Sequence, residues 1–245
     1  MSLTNEQIKE LIKDYEFGFK TDTQSFYTAP KGLNEQVICE ISKIKNEPSW
    51  MLETRLKAYQ YYITAKNPEW GIDLSGINFD DYIYYIKSTE KSAKNWEDVP
   101  KEIKETFDKI GIPQAEQKYL AGVTTQFESE AIYHSTLAEL EAQGVIFTDT
   151  DTALKQFPEL FKQYFTKLVP YTDNKYAALN TAVWSGGSFI YVPKGVVLKK
   201  PLQSYFRINS ERMGQFERTL IIVDDGADVN YVEGCTAPIY SNDSL

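Results

Sequence analysis

"TAVWSGGSFIYVPKGVVLKKPLQSYFRINSERMGQFERTLIIVDDGADVNYVEGCTAP", residues 181–238, is a series of short β-branched and aromatic runs. They are cut by Gly186-Gly187, Pro193-Lys194-Gly195, Lys200-Pro201, Gly214 and Asp224-Asp225-Gly226. Glycine and proline at such intervals punctuate strands, and no helix fits comfortably between them. A meander, a sandwich or a parallel β-helix each produces such a series, and the irregular spacing gives only a weak repeat signal. The pattern begins at about Ala178.

Upstream of that point the chain reads as helical. Thr4, with Gln7 three residues on, has capping-box spacing ahead of an Ile8, Leu11 and Ile12 stripe. Leu33, Val37, Ile41 and Ile44 predict a helix that Pro48 ends, and Ser49 opens another through Leu52, Leu56, Tyr59 and Ile63. These two are expected to pack as a pair. Residues 67–96 read as an extended, aromatic-rich connection. From Val99 a helix follows, with Pro100 near its first turn, Ile103 and Phe107 on one side and Gly111 at its stop. "ESEAIYHSTLAELEAQGV", residues 128–145, predicts a helix burying Ile132, Leu137 and Leu140, with Gly144 as cap. Residues 148–169 predict another, with Leu160, Phe161, Tyr164, Phe165 and Leu168 on a wide apolar face.

A chain of 245 residues that is 42% hydrophobic carries enough apolar surface to fold. The net charge of −9 without a basic cluster argues against electrostatic binding of nucleic acid or anionic membranes. Apolar runs such as "TLIIV", residues 219–223, are far shorter than a membrane span. The N-terminus lacks the basic start and apolar centre of a signal peptide, so a cytoplasmic location is expected. Cys39 and Cys235 form no paired metal spacing, and His134 is the one histidine. A metal or iron–sulfur site built wholly from this chain would lack the usual donors.

The segments "YIKSTEKSAKNWEDVPKEIKETFDKIGIP" (85–113), "YLAGVTTQFESEAIYH" (119–134), "WSGGSFIYVPKGV" (184–196), "PLQSYFRIN" (201–209) and "GQFERTLIIVDDGADVNYVEGCTAP" (214–238) resemble SufB, the scaffold of the SUF iron–sulfur cluster assembly system, in the SufB/SufD family. The resemblance runs through nearly the whole chain and in the family's order. It implies an α+β fold, with a mostly helical region over 1–177 followed over 178–245 by the beginning of a right-handed parallel β-helix. It also implies that family chains continue well past Leu245, so that the β-helix here is truncated and the terminal acceptor chemistry lies elsewhere.

The function implied is that of a non-enzymatic scaffold that accepts sulfur and supports nascent Fe-S cluster formation. The implied partners are the SufC ATPase, the SufD paralogue and a SufE- or SufU-type sulfur donor. The nascent Fe-S cluster belongs to the full-length complex, and none is expected to be held by this chain alone. The alternatives are a SufD-like structural subunit and a β-helix enzyme acting on polysaccharide, for which the chain shows no convincing catalytic set.

The resemblance assigns sulfur transfer to Cys235, Arg207 and Asn209. Read without it, a cysteine beside glycine at a strand end is a small buried hydrophobe. With it, Cys235 is the sulfur carrier, and its reactivity requires a lowered pKa, for which Arg207 is the candidate cation. Strand alternation places Gln203, Tyr205, Arg207 and Asn209 on one face and Leu202, Ser204, Phe206 and Ile208 on the other. Either the apolar set points inward and Arg207 is solvated, or the polar set is inside and the guanidinium needs partners such as Glu217 or Glu233. The burial of Arg207 decides between them. Cys39 is expected to pack in a core and His134 to have a structural or surface role.

Overall fold

The computed structural model describes residues 16–71, 73–93, 95–111 and 120–239. The helix expected from Thr4 lies outside the described residues. After a short strand β1 (Tyr27–Thr28), α1 (Glu35–Lys45) starts where the Asn34 side chain accepts the Val37 N–H at 3.0 Å. It stops at Asn46, whose φ of 52° takes the chain into the left-handed region. Val37, Ile38 and Ile41 are buried and face α2 (Ser49–Thr64), as the spacing predicted. Replacing Asn34 with alanine is expected to cost about 1 kcal/mol through loss of the cap, read as a fall of about 3 °C in melting temperature.

The connection then runs through β2 (Ile86–Lys87), antiparallel to β1, and α3 (Lys101–Ile110), which Gly111 ends at a φ of 87°. Tyr82, Tyr84 and Tyr85 of the aromatic connection join the first core cluster.

From here the chain departs from the helical expectation. Residues 122–136 form an antiparallel hairpin, β3 (Gly122–Phe127) and β4 (Glu130–Thr136), turning through Glu128 at a φ of 57°. Ile132, Leu137 and Leu140 share helical spacing by coincidence. Val123, Thr124, Thr125, Ile132 and Thr136 are β-branched, and every β3 residue is buried. His134 therefore sits opposite Thr124 in a sheet, and Leu137 is exposed. Only α4 (Ala138–Glu141) is helical in that stretch.

Strand β5 (Ile146–Asp149) leads into α5 (Thr150–Gln156), capped by Asp149, whose Oδ1 accepts the Thr152 N–H at 2.8 Å. The single helix expected over 148–169 is two. Pro158 disfavours a helical Phe157, and α6 (Pro158–Tyr164) starts afresh with proline in its first turn. The helix ends before Leu168, which is 93% exposed instead of lying on an apolar face.

The last helix, α7 (Lys175–Val183), packs Leu179, Ala182 and Val183 against α1 and α2. It extends past Ala178, so the change to strands comes later than the sequence pattern placed it. Arg55 of α2, with no exposure, locks this junction. It holds Glu47 at 2.8 and 2.6 Å, donates to the carbonyls of Ala182 and Trp184, and lies 4.8 Å from the Trp184 ring.

The remaining strands are β6 (Ser188–Val192), β7 (Leu202–Arg207), β8 (Leu220–Val223) and β9 (Tyr231–Thr236). They distribute between a four-stranded sheet in the order β4-β3-β7-β9 and a three-stranded sheet in the order β5-β6-β8. The β3–β7, β7–β9 and β6–β8 pairs are parallel, whereas β3–β4 and β5–β6 are antiparallel. The expected helical region followed by a parallel β-helix is therefore corrected to a mixed α/β arrangement of several small sheets. The reason is that strands β3, β4 and β5, which precede residue 178, complete both larger sheets and bring antiparallel edges to them.

Candidate functional site

The register of β7 on β9 sets Phe206 opposite Cys235 and Arg207 opposite Thr236. Leu202, Ser204 and Phe206 are buried, yet Arg207 on the other face has no exposure either. Both faces of β7 are covered, which alternation alone does not anticipate. What covers Arg207 is the chain's own residues 17–21. Its guanidinium donates to the Phe17 carbonyl at 2.7 Å and to the Phe19 carbonyl, and it lies 4.7 Å from the Phe19 ring.

Asn209, 2% exposed, grips the same segment. Its Oδ1 accepts the Thr21 N–H at 2.9 Å and its Nδ2 donates to the Thr21 carbonyl at 2.8 Å. From behind, Glu128 holds the strand exit. Its Oε2 accepts the Asn209 N–H at 3.2 Å, its Oε1 accepts the Ser210 hydroxyl at 2.6 Å, and its own N–H donates to the Arg207 carbonyl at 2.9 Å. Burial pushes the Glu128 carboxyl up, while these hydrogen bonds and the Arg207 charge oppose the rise. Glu128 and two backbone carbonyls thus take the place that the sequence offered to Glu217 or Glu233.

Cys235 is exposed on β9, the outermost strand of its sheet among the described residues. Its thiol is pushed up, first by partial burial and then by the charges of Glu217 and Glu233. This is the reverse of the expected activation by Arg207, whose charge is engaged with Phe17, Phe19 and Glu128. Alternation places Tyr231, Glu233 and Cys235 on one face of β9. Tyr231 Oη donates to Glu233 Oε1 at 2.7 Å and lies 2.7 Å from Ser188 Oγ, which is 2.6 Å from Ser204 Oγ. Thr219 adds a hydrogen bond to Glu233 at 2.8 Å. Glu217 is pushed up to about 7, first by burial and then by Glu233. The result is a polar lane of hydroxyls and two carboxyls ending at a thiol.

The chain matches the SufBD protein N-terminal region over residues 92–204. It is 60% identical over 234 residues to an iron-sulfur cluster assembly SufBD family protein of Staphylococcus haemolyticus, covering 96% of this chain and 50% of that protein. A protein of the same description from Staphylococcus epidermidis is 60% identical, and one from Staphylococcus aureus 59%, with the same coverage. The chain is similar to proteins of the SufBD family. It spans about half the length of the curated relatives it matches.

The structure brings Arg207 and Asn209 together under residues 17–21, and holds Cys235 apart from them on the neighbouring strand. Sequence reasoning missed Glu128, because residues 128–145 read as a helix and hid the turn that aims its carboxyl at the end of β7. It missed Phe17, Phe19 and Thr21 because nothing in "EFGFKTDTQ" marks where it docks. Cys39, expected in a core, is exposed on α1. The glycines of "SGGS" use their N–H groups internally: Gly186 donates to Asp151 and Gly187 to Gln126, each at 2.9 Å. Among the described residues no group of three or more His, Cys, Asp or Glu side chains is placed to hold a metal, and no helix is long and apolar enough to cross a membrane.

Proposed function

We propose that this chain is part of an iron–sulfur assembly scaffold of the SufB kind, which takes up sulfur on Cys235 for a nascent cluster. The SufC ATPase, the SufD paralogue and a SufE- or SufU-type donor are its proposed partners, and the nascent Fe-S cluster is cargo completed outside this chain. The carrying observation is the exposed Cys235 thiol on β9, the outermost strand of its sheet among the described residues. Uptake is a sulfur transfer without net oxidation. The Cys235 thiolate attacks the outer sulfur of a donor persulfide, the donor's S–S bond breaks, and the donor thiol leaves with the proton.

A small-molecule persulfide added to the purified chain is expected to add sulfur at Cys235, read by peptide mass spectrometry. Cys39→Ser retains the modification and Cys235→Ser loses it; equal labelling of both cysteines in the wild type would count against a dedicated carrier. The burial of Arg207 and Asn209 under residues 17–21 favours a second reading, a SufD-like structural subunit of the same assembly. In that case Cys235 stays unmodified under the same treatment.

A further inference from the structure

We propose that Arg207 and Asn209 form a binding site for an extended polypeptide segment, and that the chain's own Phe17 to Thr21 occupy it as a displaceable strap. The site reads main chain. Arg207 takes the carbonyls of two residues spaced by two, Phe17 and Phe19, and Asn209 takes both the N–H and the carbonyl of Thr21. An amide side chain that pairs with N–H and C=O of one residue mimics the edge of a neighbouring strand, which is how extended peptides are recognised irrespective of their side chains. Among the strap side chains, the aromatic ring of Phe19 is held 4.7 Å from Arg207 and 5.1 Å from Lys109.

The two sides of this contact are built differently. The receiving side is rigid: β7 lies between β3 and β9, and buried Glu128 fixes the backbone at Arg207, Asn209 and Ser210. The strap side has no regular secondary structure, and among the described residues none of the four apolar clusters includes a side chain from 16 to 26. Two further ties of the segment are polar, from Gly18 to the Ile239 N–H at 3.1 Å and from Thr21 to the Thr106 hydroxyl. Hydrogen bonds to peptide groups exchange for water at modest net cost, whereas buried apolar side chains do not, so such a segment belongs to the low-stability end of the molecule. Beyond Thr21 a cleft of about 560 Å³ opens between Asp22, Thr23, Ile103 and Ser210, with room for a longer incoming segment to continue.

The ligand class is therefore an extended peptide with an aromatic residue at the position of Phe19. The claim reaches beyond the sulfur-carrier reading, and its readout is peptide binding, so it stands or falls whether or not Cys235 accepts sulfur. The test uses a fluorescent synthetic peptide of residues 16–24, EFGFKTDTQ, titrated into the full chain. In the wild type the tethered strap competes at high local concentration and binding is weak. Phe19→Ala weakens only the strap and is expected to tighten peptide binding by about tenfold. Adding Asn209→Asp, which keeps the shape but removes the amide donor, is expected to abolish that gain while leaving the melting temperature within a few degrees.

Hydrogen exchange on the unmodified chain supplies the second measurement. The Thr21 amide is expected to exchange faster than core amides such as Val123 and Ile190. Binding to Phe19→Ala no tighter than to wild type, an unchanged gain in the Asn209→Asp background, or core-like protection at Thr21 would each overturn the proposal.

Discussion

An Arg55→Leu chain is expected to lose about 3–5 kcal/mol of stability and to melt roughly 10 °C lower. The guanidinium is fully buried and holds Glu47, whose side chain is 1% exposed, by two hydrogen bonds. Leucine would leave that carboxylate buried without its cation and strip a donor from the Ala182 and Trp184 carbonyls. The loss comes from the uncompensated charge more than from the missing pair. Changing both residues, Arg55→Met with Glu47→Leu, should therefore recover most of it. Denaturant titration of the two variants is the check, and a double variant no more stable than the single would sink the account. Because α2 and α7 meet at this pair, the single variant should also loosen Trp184 and the glycines that precede β6.

Glu217→Gln is expected to stabilise the chain at alkaline pH and leave it nearly unchanged in acid. The Glu217 carboxyl is raised from its ordinary 4.5 to about 7 by burial, with Glu233 adding to it. The folded state thus binds this proton more tightly than the unfolded one. Its stability is whole below the unfolded value and falls as pH rises through the window between 4.5 and about 7. At about 1.4 kcal/mol per pH unit, the wild type is penalised by about 3 kcal/mol above pH 7, and glutamine removes that penalty.

The same substitution removes a negative charge that holds the Cys235 thiol up. Alkylation of Cys235 by iodoacetamide at pH 7.5 should then accelerate, because one of the charges that hold the thiol protonated is gone. Denaturant midpoints at pH 5 and pH 8, with alkylation rates at the higher pH, test both halves. Slower alkylation in the variant would mean that Glu217 assists the thiol instead of restraining it.

The helices α1, α2 and α3 were legible because each carries an apolar stripe of helical period, through Val37 and Ile41, Leu52 and Leu56, or Ile103 and Phe107, with Pro48, Ser49, Pro100 and Gly111 marking their ends. Residues 128–145 were not, because a helical spacing of three apolar residues competes with β-branched content, and β4 is a strand through its antiparallel pairing with the buried β3. Phe157 shows the same limit on a smaller scale, since Pro158 permits a kink or a break and packing chose the break. Of the site, the residue types and the strand that carries Arg207 could be read locally. Their surroundings could not.

The sequence, through its resemblance to SufB, pointed to Cys235, Arg207 and Asn209 as candidate side chains, and by itself it fixed the faces of their strands, because alternation in strands is a local property. Only the tertiary structure decided what each group meets. Arg207 and Asn209 are met by residues about 190 positions earlier in the chain, and Cys235 by Glu217 and Glu233 instead of a cation. Desolvation and Coulomb forces depend on neighbours brought together by folding, and no spacing along the sequence encodes them.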